Sequence, residues 1–411
     1  MDLFMENVMT KSGKIGLVVS FVLFTVLVSS VTAFGADWPN WRGPDYNGIS
    51  KETNWSPKAL ADGAKIKWKA SVGIGFSAIS IAKGKAYTMG NIDDTDYIFC
   101  FDAESGKELW SYKYSEPVEP FGGNYKGGPN ASVTVDDGKV YTISKTGKIF
   151  CLDANSKDVV WEKQIKAKKP RWGYSGSALI AGDTVIFNAG TLGMAFKKAT
   201  GKVVWKSGDE ATGYSTPVPY TASGKKCVAF FTSKFLVGVE TATGKEQWKF
   251  EWKTKYGVNA ADPVIDGDKV FITSGYNKGS ALVNISGGNA EPVWVNHNMH
   301  SQMSGPVLLD GYVYGIDDKQ LACVEMKSGD LKWTSKVSAK GSLMAADGKL
   351  IILSEKGKLI IAEASPEGFK EISSANILKG KCWTMPVLAN GKIYARDEDG
   401  GMVCVDMSGA K

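Results

Sequence analysis

Short runs of alternating apolar and polar residues make up most of the chain, and one order of runs returns many times. Each copy opens on an apolar strand, turns at Asp-Gly or Gly-Lys, continues in a second strand, and ends a third on an acidic residue. A glycine turn and a short strand carrying Trp complete the unit. Period-two alternation predicts half-buried strands, and no useful stretch beyond residue 36 keeps the helical period. Clear copies run from Ser132 to Tyr141, on to Phe150–Asp153 and Trp161, and from Gly305 to Tyr314, on to Ala322–Glu325 and Trp333. Trp68, Trp110, Trp161, Trp205, Trp248, Trp294 and Trp333 recur roughly every 44 residues, and four strands at that period are the mark of a β-propeller blade.

The two ends decide the number of blades. Ser342 to Ile372 reads as a degenerate copy whose Trp place is taken near Ile372, and Met385 to Asp406 reads as a copy lacking its last strand. Lys65 to Ala70 is a Trp-bearing strand with no partner strands before it. The two fragments complete each other, leaving no open sheet edge. The expected fold is all-β: an eight-bladed β-propeller of four-stranded antiparallel blades, closed by an N-terminal strand that completes the last blade.

Ahead of the repeats, Lys11 and Lys14 precede a charge-free run from Ile15 to Ala36 with small residues at Ala33, Gly35 and Ala36. Residues 1–36 therefore read as a secretory signal peptide, 37–64 as an N-terminal extension, and 65–411 as the propeller. An uncleaved signal anchor is the alternative. The first cysteine is Cys100, so the cleavage region offers no lipid attachment site, and the expected location is periplasmic or extracellular.

Composition narrows the functional classes. The net charge of +6 is spread along 411 residues, without the basic face that nucleic acid requires. Six cysteines form no C-x-x-C pair and there are two histidines, so common zinc signatures are absent. The slot two residues before the acid, whose place Lys197 takes in the third copy, holds Cys100, Cys151, Ala195, Gly238, Cys323 and Cys404, all small, as expected beneath a closely packed indole. Repeat-equivalent cysteines point alike, and disulfides among these four are not expected. Cys227 and Cys382 stand outside the slot.

Asp102, Gly106 and Trp110 resemble the tryptophan-docking motif A-x-D-x-x-x-G-x-x-x-W of the PQQ-like (pyrroloquinoline quinone repeat) eight-bladed propellers. Related copies are Glu240, Gly244 and Trp248, and Glu325, Gly329 and Trp333; the second blade keeps Asp153 and Trp161 but has Lys157 for Gly. The opening Trp38-Pro-Asn-Trp-Arg-Gly-Pro44 resembles the start of many secreted bacterial proteins with these repeats. The resemblance covers about residues 65–411 and implies the fold more firmly than the function, since the superfamily holds both quinoprotein dehydrogenases and the non-enzymatic scaffold BamB.

The dehydrogenase members imply a quinone against a Trp, an adjacent-cysteine disulfide, and a Glu/Asn/Asp set around calcium. No Cys-Cys pair exists here. Asn130, Asn259 and Asp262 precede inner strands and are the candidates for that set. No Ser/His/Asp or Cys/His constellation stands out, and His297 and His300 alone offer too few ligands for a metal. PQQ with calcium, in an oxidoreductase acting on alcohols or sugars, is thus the alternative, and no cofactor or metal is the expectation.

A binding surface is the preferred reading. The connections entering the inner strands should gather at one end of the channel, and they carry Phe76, Arg171, Trp172, Tyr174, Tyr214, Tyr256, His297, His300, Gln302 and Trp383. Rigid aromatics beside Arg and amides suit recognition of a protein or peptide, or of a carbohydrate. The plainer alternative is that these rings cap the blades and plug the channel. The expectation is a BamB-like, monomeric scaffold with no nucleic-acid partner, meeting a membrane through an uncleaved anchor or a membrane-protein partner.

Overall fold

A computed structural model of the chain describes residues 37–118, 126–337 and 339–409. The expected leader, residues 1–36, lies outside the described residues. Eight sheets appear among the described residues. Blade 1 comprises Ser80–Ala82, Lys85–Ile92, Thr95–Asp102 and Glu108–Ser115; blades 2 to 6 follow over 134–164, 179–206, 218–251, 264–296 and 307–335. Blade 7 spans 342–376, and Val387–Ala389, Lys392–Arg396 and Gly401–Asp406 begin blade 8. Its fourth strand is Lys65–Ser71, antiparallel to Gly401–Asp406 with Trp68 opposite Cys404. That is the register of Trp110 opposite Cys100 and Trp333 opposite Cys323, so the closing strand reproduces an ordinary outer strand.

Alternation along each outer strand aims its Trp at the next blade. The indole N–H of Trp68 donates to the Ala103 carbonyl at 3.1 Å, Trp110 to Ala154 at 3.1 Å, Trp205 to Thr241 at 2.9 Å and Trp294 to Met326 at 3.0 Å. Each acceptor directly follows the acidic residue of the next blade. Gly106 lies at φ 71° and an added Cβ would meet the Trp68 ring at 2.5 Å, so this glycine serves both turn and close approach. Lys157 adopts the same left-handed backbone at φ 61°, bearing the strain that glycine avoids elsewhere. Trp248 departs from the pattern and donates to the Tyr220 hydroxyl of its own blade at 2.8 Å.

Cys100, Cys151, Cys323 and Cys404 each sit opposite a tyrosine on the neighbouring strand, namely Tyr87, Tyr141, Tyr314 and Tyr394. All six cysteines are buried free thiols. Burial pushes Cys100 and Cys151 up to about 11 and Cys323, Cys382 and Cys404 up to about 12, leaving these five without thiolate reactivity at neutral pH.

Blade 7 fills the expected gap near Ile372. The residue in the Trp register is Ser373, opposite Ile361. Its hydroxyl donates to the Pro57 carbonyl. The Met407 carbonyl, which a blade 7 Trp would have docked onto, instead accepts the Ser56 N–H at 2.7 Å, beside buried Trp55. The N-terminal extension thus replaces the missing indole.

The same extension crosses the channel. Trp38 exchanges two backbone hydrogen bonds with Ile81 of blade 1, and the Pro39 carbonyl accepts from Val135 of blade 2. The Tyr46 hydroxyl accepts from Ile180 N–H of blade 3 at 3.2 Å. Arg42 donates to the Pro306 carbonyl at the entry to blade 6, Gly48 accepts from Ala345 of blade 7, and the Glu52 carboxylate accepts from Asn390 and Gly391 of blade 8. A segment bonded to inner strands on opposite sides of the ring fills the channel between them. Gly43, at φ 78°, makes this path possible, because a Cβ there would lie 2.7 Å from the Trp38 ring.

Candidate functional site

The connections into the inner strands converge on a cavity of about 300 Å³ at one end of the channel. Small hydroxyls set its frame. Ala78 N–H donates to Ser132 Oγ at 2.9 Å, Ser132 N–H to Ser177 Oγ at 2.8 Å, Ser177 N–H to Thr216 Oγ1 at 3.0 Å, and Thr216 N–H to Asp262 Oδ1 at 2.7 Å. This belt ties blade entries 1 to 5 together, each side chain satisfying the backbone of the preceding blade. Ser177, Thr216 and Asp262 also line the cavity.

Rings form the wall. Phe76 and Trp383 stack with centroids 5.5 Å apart, and Trp172 meets Tyr214 edge-on at 5.9 Å. Cations cover their outer faces: the Arg171 guanidinium lies 5.1 Å from the Trp172 ring, and Lys381 and Lys340 lie 4.7 and 6.0 Å from Trp383. Gln302 donates to the Tyr276 hydroxyl at 3.0 Å and accepts from Lys340 at 2.8 Å. Trp41 of the extension reaches the same cavity, its indole N–H donating to Asp262 Oδ2 at 2.5 Å.

Asp262 and Arg42 are both fully buried, with Arg42 Nε 3.8 Å from Asp262 Oδ2. Arg42 Nη2 also donates to the Asn47 and Pro306 carbonyls at 2.8 and 2.7 Å. Burial pushes the Asp262 carboxyl up and the Arg42 guanidinium down, and their mutual attraction opposes both shifts. Gly305 makes room for the guanidinium, since a Cβ would approach Arg42 Nη1 to 2.2 Å.

The sequence candidates divide into three groups. Phe76, Asn130, Trp172, Tyr214, Asp262, Gln302 and Trp383 line the cavity, and Arg171 stacks on its rim. Tyr174 and Asn259 are buried away from it. The Tyr174 hydroxyl donates to the Ala167 carbonyl, and Asn259 donates to the Thr232 and Trp252 carbonyls while accepting from Ser274. Tyr256 is exposed outside the cavity, edge-on to Tyr276, and His297 and His300, on the connection into blade 6, are not among the cavity's lining residues. Sequence reading missed Trp41, Tyr276 and the hydroxyl belt. The belt's signal was present: a Ser, Thr or Asp recurs two residues ahead of the inner strands of blades 2 to 5.

A calcium-held quinone does not fit this donor set. Calcium takes six to eight oxygens, whereas Asp262 is the one carboxylate among the described residues lining the cavity, and both its oxygens accept hydrogen bonds. Asn259, a candidate for the set, is consumed by backbone carbonyls.

A second perturbed carboxyl lies away from the cavity. Asp96, 1% exposed, accepts from Asn91 and from the Tyr114 hydroxyl, and burial raises it to about 7. A carboxyl raised in the folded state binds its proton more tightly there, so its contribution is full below about pH 4 and is lost as pH rises to about 7. Asp96→Asn should therefore match the parent near pH 4 and exceed it by on the order of 2 kcal/mol at pH 8. Urea unfolding at the two pH values checks this; an equal difference at both would refute the assignment.

Comparison with known proteins places these features among relatives. The family model described as outer membrane protein assembly factor BamB matches residues 94–335. The outer membrane protein assembly factor BamB of Moranella endobia is 24% identical over 307 residues, covering 73% of this chain and 67% of that protein. The quinoprotein alcohol dehydrogenase PedH of Pseudomonas putida is 28% identical over 186 residues, covering 42% of this chain and 29% of that protein. Among solved structures, BamB from Moraxella catarrhalis superposes with a TM-score of 0.62 at 16% identity, covering 84% of this chain and 99% of that one. The quinohemoprotein alcohol dehydrogenase ADHIIG of Pseudomonas putida HK5 superposes at 0.66 and 12% identity, covering 92% and 81%. Both likenesses are of fold.

Proposed function

This chain belongs to the BamB family of PQQ-like propellers, and from that membership we propose that it is an exported, non-catalytic propeller whose aromatic mouth binds an extended segment of a partner protein. The observation that carries this reading is the mouth itself: stacked Phe76 and Trp383 and edge-on Trp172 and Tyr214, flanked by Arg171, Lys340 and Lys381, above a floor of Trp41 and a carboxylate paired with Arg42. Rigid rings bury large apolar area at small entropic cost, and Arg and Lys beside them add cation–π and polar contacts. The cavity's carboxylate, Asp262, is paired with Arg42 and accepts hydrogen bonds at both oxygens, which supports a structural role for it.

Removing two such anchors costs binding without disturbing the blades, because Arg171 is exposed and Trp172 is only partly buried. Arg171→Ala combined with Trp172→Ala should weaken retention of a cross-linked periplasmic partner by about 30-fold or more, equivalent to about 2 kcal/mol. The unfolding midpoint should stay unchanged. Retention equal to the parent would refute the site. Stoichiometric calcium-dependent quinone binding with dye-linked alcohol oxidation would overturn the non-catalytic reading, and capture of glycan in place of protein would overturn the partner class.

A further inference from the structure

Lys166 and Lys168 take no part in the cavity wall or in any ion pair among the described residues. They belong to the connection into blade 3, which carries Lys166, Lys168, Lys169 and Arg171 and no acid. Its backbone is pinned along its length: Ile165 N–H donates to the Gly147 carbonyl at 2.9 Å, Lys168 N–H to Asp209 at 2.8 Å and Gly173 N–H to Pro170 at 2.9 Å, while the Tyr174 hydroxyl donates to Ala167. Buried Ile165 and Ala167 alternate with exposed Lys166 and Lys168, so both ammonium groups face solvent. A pinned backbone cannot spread like charges apart, and the ridge keeps a positive potential that an incoming anion relieves.

The neighbouring loops carry the same sign. In an antiparallel four-stranded blade, the connection into the inner strand and the turn between the second and third strands share one end, so both kinds of loop surround the mouth. The blade 2 turn brings Lys145, whose carbonyl accepts the Tyr174 N–H at 3.0 Å, the blade 4 turn brings exposed Lys234, and the connection into blade 5 brings exposed Lys255. Among the described residues, the exposed acids of the connections and turns from blade 2's turn to blade 5's are Asp209 and Glu210. The blade 1 turn has the opposite sign, with Asp93 and Asp94 both exposed. The basic ridge also leads into the cavity, because it ends on Arg171, stacked over Trp172 of the wall.

We propose that the segment received at this mouth is acidic: an extended peptide rich in Asp and Glu lies along Lys166, Lys168 and Arg171 and sets one apolar side chain against Trp172 and Tyr214. The inference rests on the aromatic-mouth reading and adds to it the partner's charge and its side of approach. Complementary charge steers the encounter and fixes register, and Asp93 and Asp94 repel the same peptide from the blade 1 side. A peptide fits better than an anionic membrane, since a flat anionic surface laid on this end would meet the acids of blade 1 together with the cations of blades 2 to 5. The cavity of about 300 Å³ beside the ridge is of a size for a side chain.

The test follows the fluorescence anisotropy of three labelled peptides on the purified full chain, each with one central Phe, flanked by Asp and Glu, by Asn and Gln, or by Lys. The acidic peptide should bind tightest, and raising NaCl from about 0.05 M to about 0.5 M should weaken it about 10-fold or more. Lys166→Gln combined with Lys168→Gln should weaken it about 5-fold or more. The same charge change at the other end of the blades, Lys107→Gln with Lys202→Gln, both exposed, should leave it within about 2-fold. Both double variants should unfold at the parent's midpoint. Failure of the acidic peptide to bind, or loss that is equal in the two double variants, would overturn the proposal. Equal binding of the Asn/Gln peptide, lost in Trp172→Ala, would overturn the acidic partner while leaving the aromatic mouth standing. Acidic binding untouched by Trp172→Ala would overturn the seated side chain and the mouth with it. Sedimentation with phosphatidylglycerol vesicles that is lost in Lys166→Gln with Lys168→Gln, with no peptide bound, would assign the ridge to a membrane and overturn the peptide.

Discussion

Replacing Arg42 with Ala is expected to lower the stability of the propeller by about 3–5 kcal/mol, read as a shift in the guanidinium midpoint of tryptophan fluorescence. The loss has two sources. The Asp262 carboxylate remains buried with its nearest cation gone, and the carbonyls of Asn47 and Pro306 lose their donor. A buried charge stripped of its partner is more costly than the pair was worth. Removing both charges with volume-matched apolar residues, Arg42→Met with Asp262→Leu, should recover part of the loss, although Thr216 and Trp41 then lack an acceptor. A single variant within about 1 kcal/mol of the parent would mean that the extension contributes little to holding the ring.

Arg396→Ala should be nearly as damaging, about 3 kcal/mol or more, and its effect should localise to one seam. Arg396 is fully buried in blade 8, and its guanidinium donates to the Gly73 carbonyl at 2.9 Å, the Met89 carbonyl at 2.5 Å, and the Ser77 carbonyl and Thr88 hydroxyl at 3.4 Å. All four acceptors belong to blade 1 or its entry. Burial pulls the guanidinium down to about 10, still charged at neutral pH. Amide hydrogen exchange should quicken over residues 73–92 and 392–406 before other blades respond. Arg396→Lys should fail to restore protection, because one ammonium cannot reach acceptors spread around a planar fork. Uniform exchange around the ring would argue against a seam.

The architecture was legible because it is written in repetition. Seven Trp at a near-constant period, several of them following an acid and small residues, name both the blade and the partner of its indole, and the unpaired strand around Trp68 names the closure. Trp248 and Ser373 show where repetition stops informing. At Trp248 a local tyrosine captures the indole, and at Ser373 the compensating group, Ser56, lies more than 300 residues away. The site was legible as a set of rings but not as a cavity. Tyr174 and Asn259 share the loops and residue types of true lining residues, and only side-chain direction separates them, which depends on packing and not on spacing. Trp41 was hidden for a different reason. It sits in a motif read as an opening segment, and nothing in its neighbours says that it crosses the channel to Asp262.

The closing strand has a kinetic consequence. Lys65–Ser71 cannot pair until Gly401–Asp406 has been formed, so the ring's final sheet depends on contacts between residues over 300 positions apart. Loop-closure entropy makes such contacts slow to form, while blades 2 to 6 assemble from neighbouring hairpins. During that interval the Gly401–Asp406 strand of blade 8 stands as a bare edge, open to pairing with another chain. A propeller of this design is thus most vulnerable after nearly all of it has folded, and its yield depends on how quickly its two ends meet.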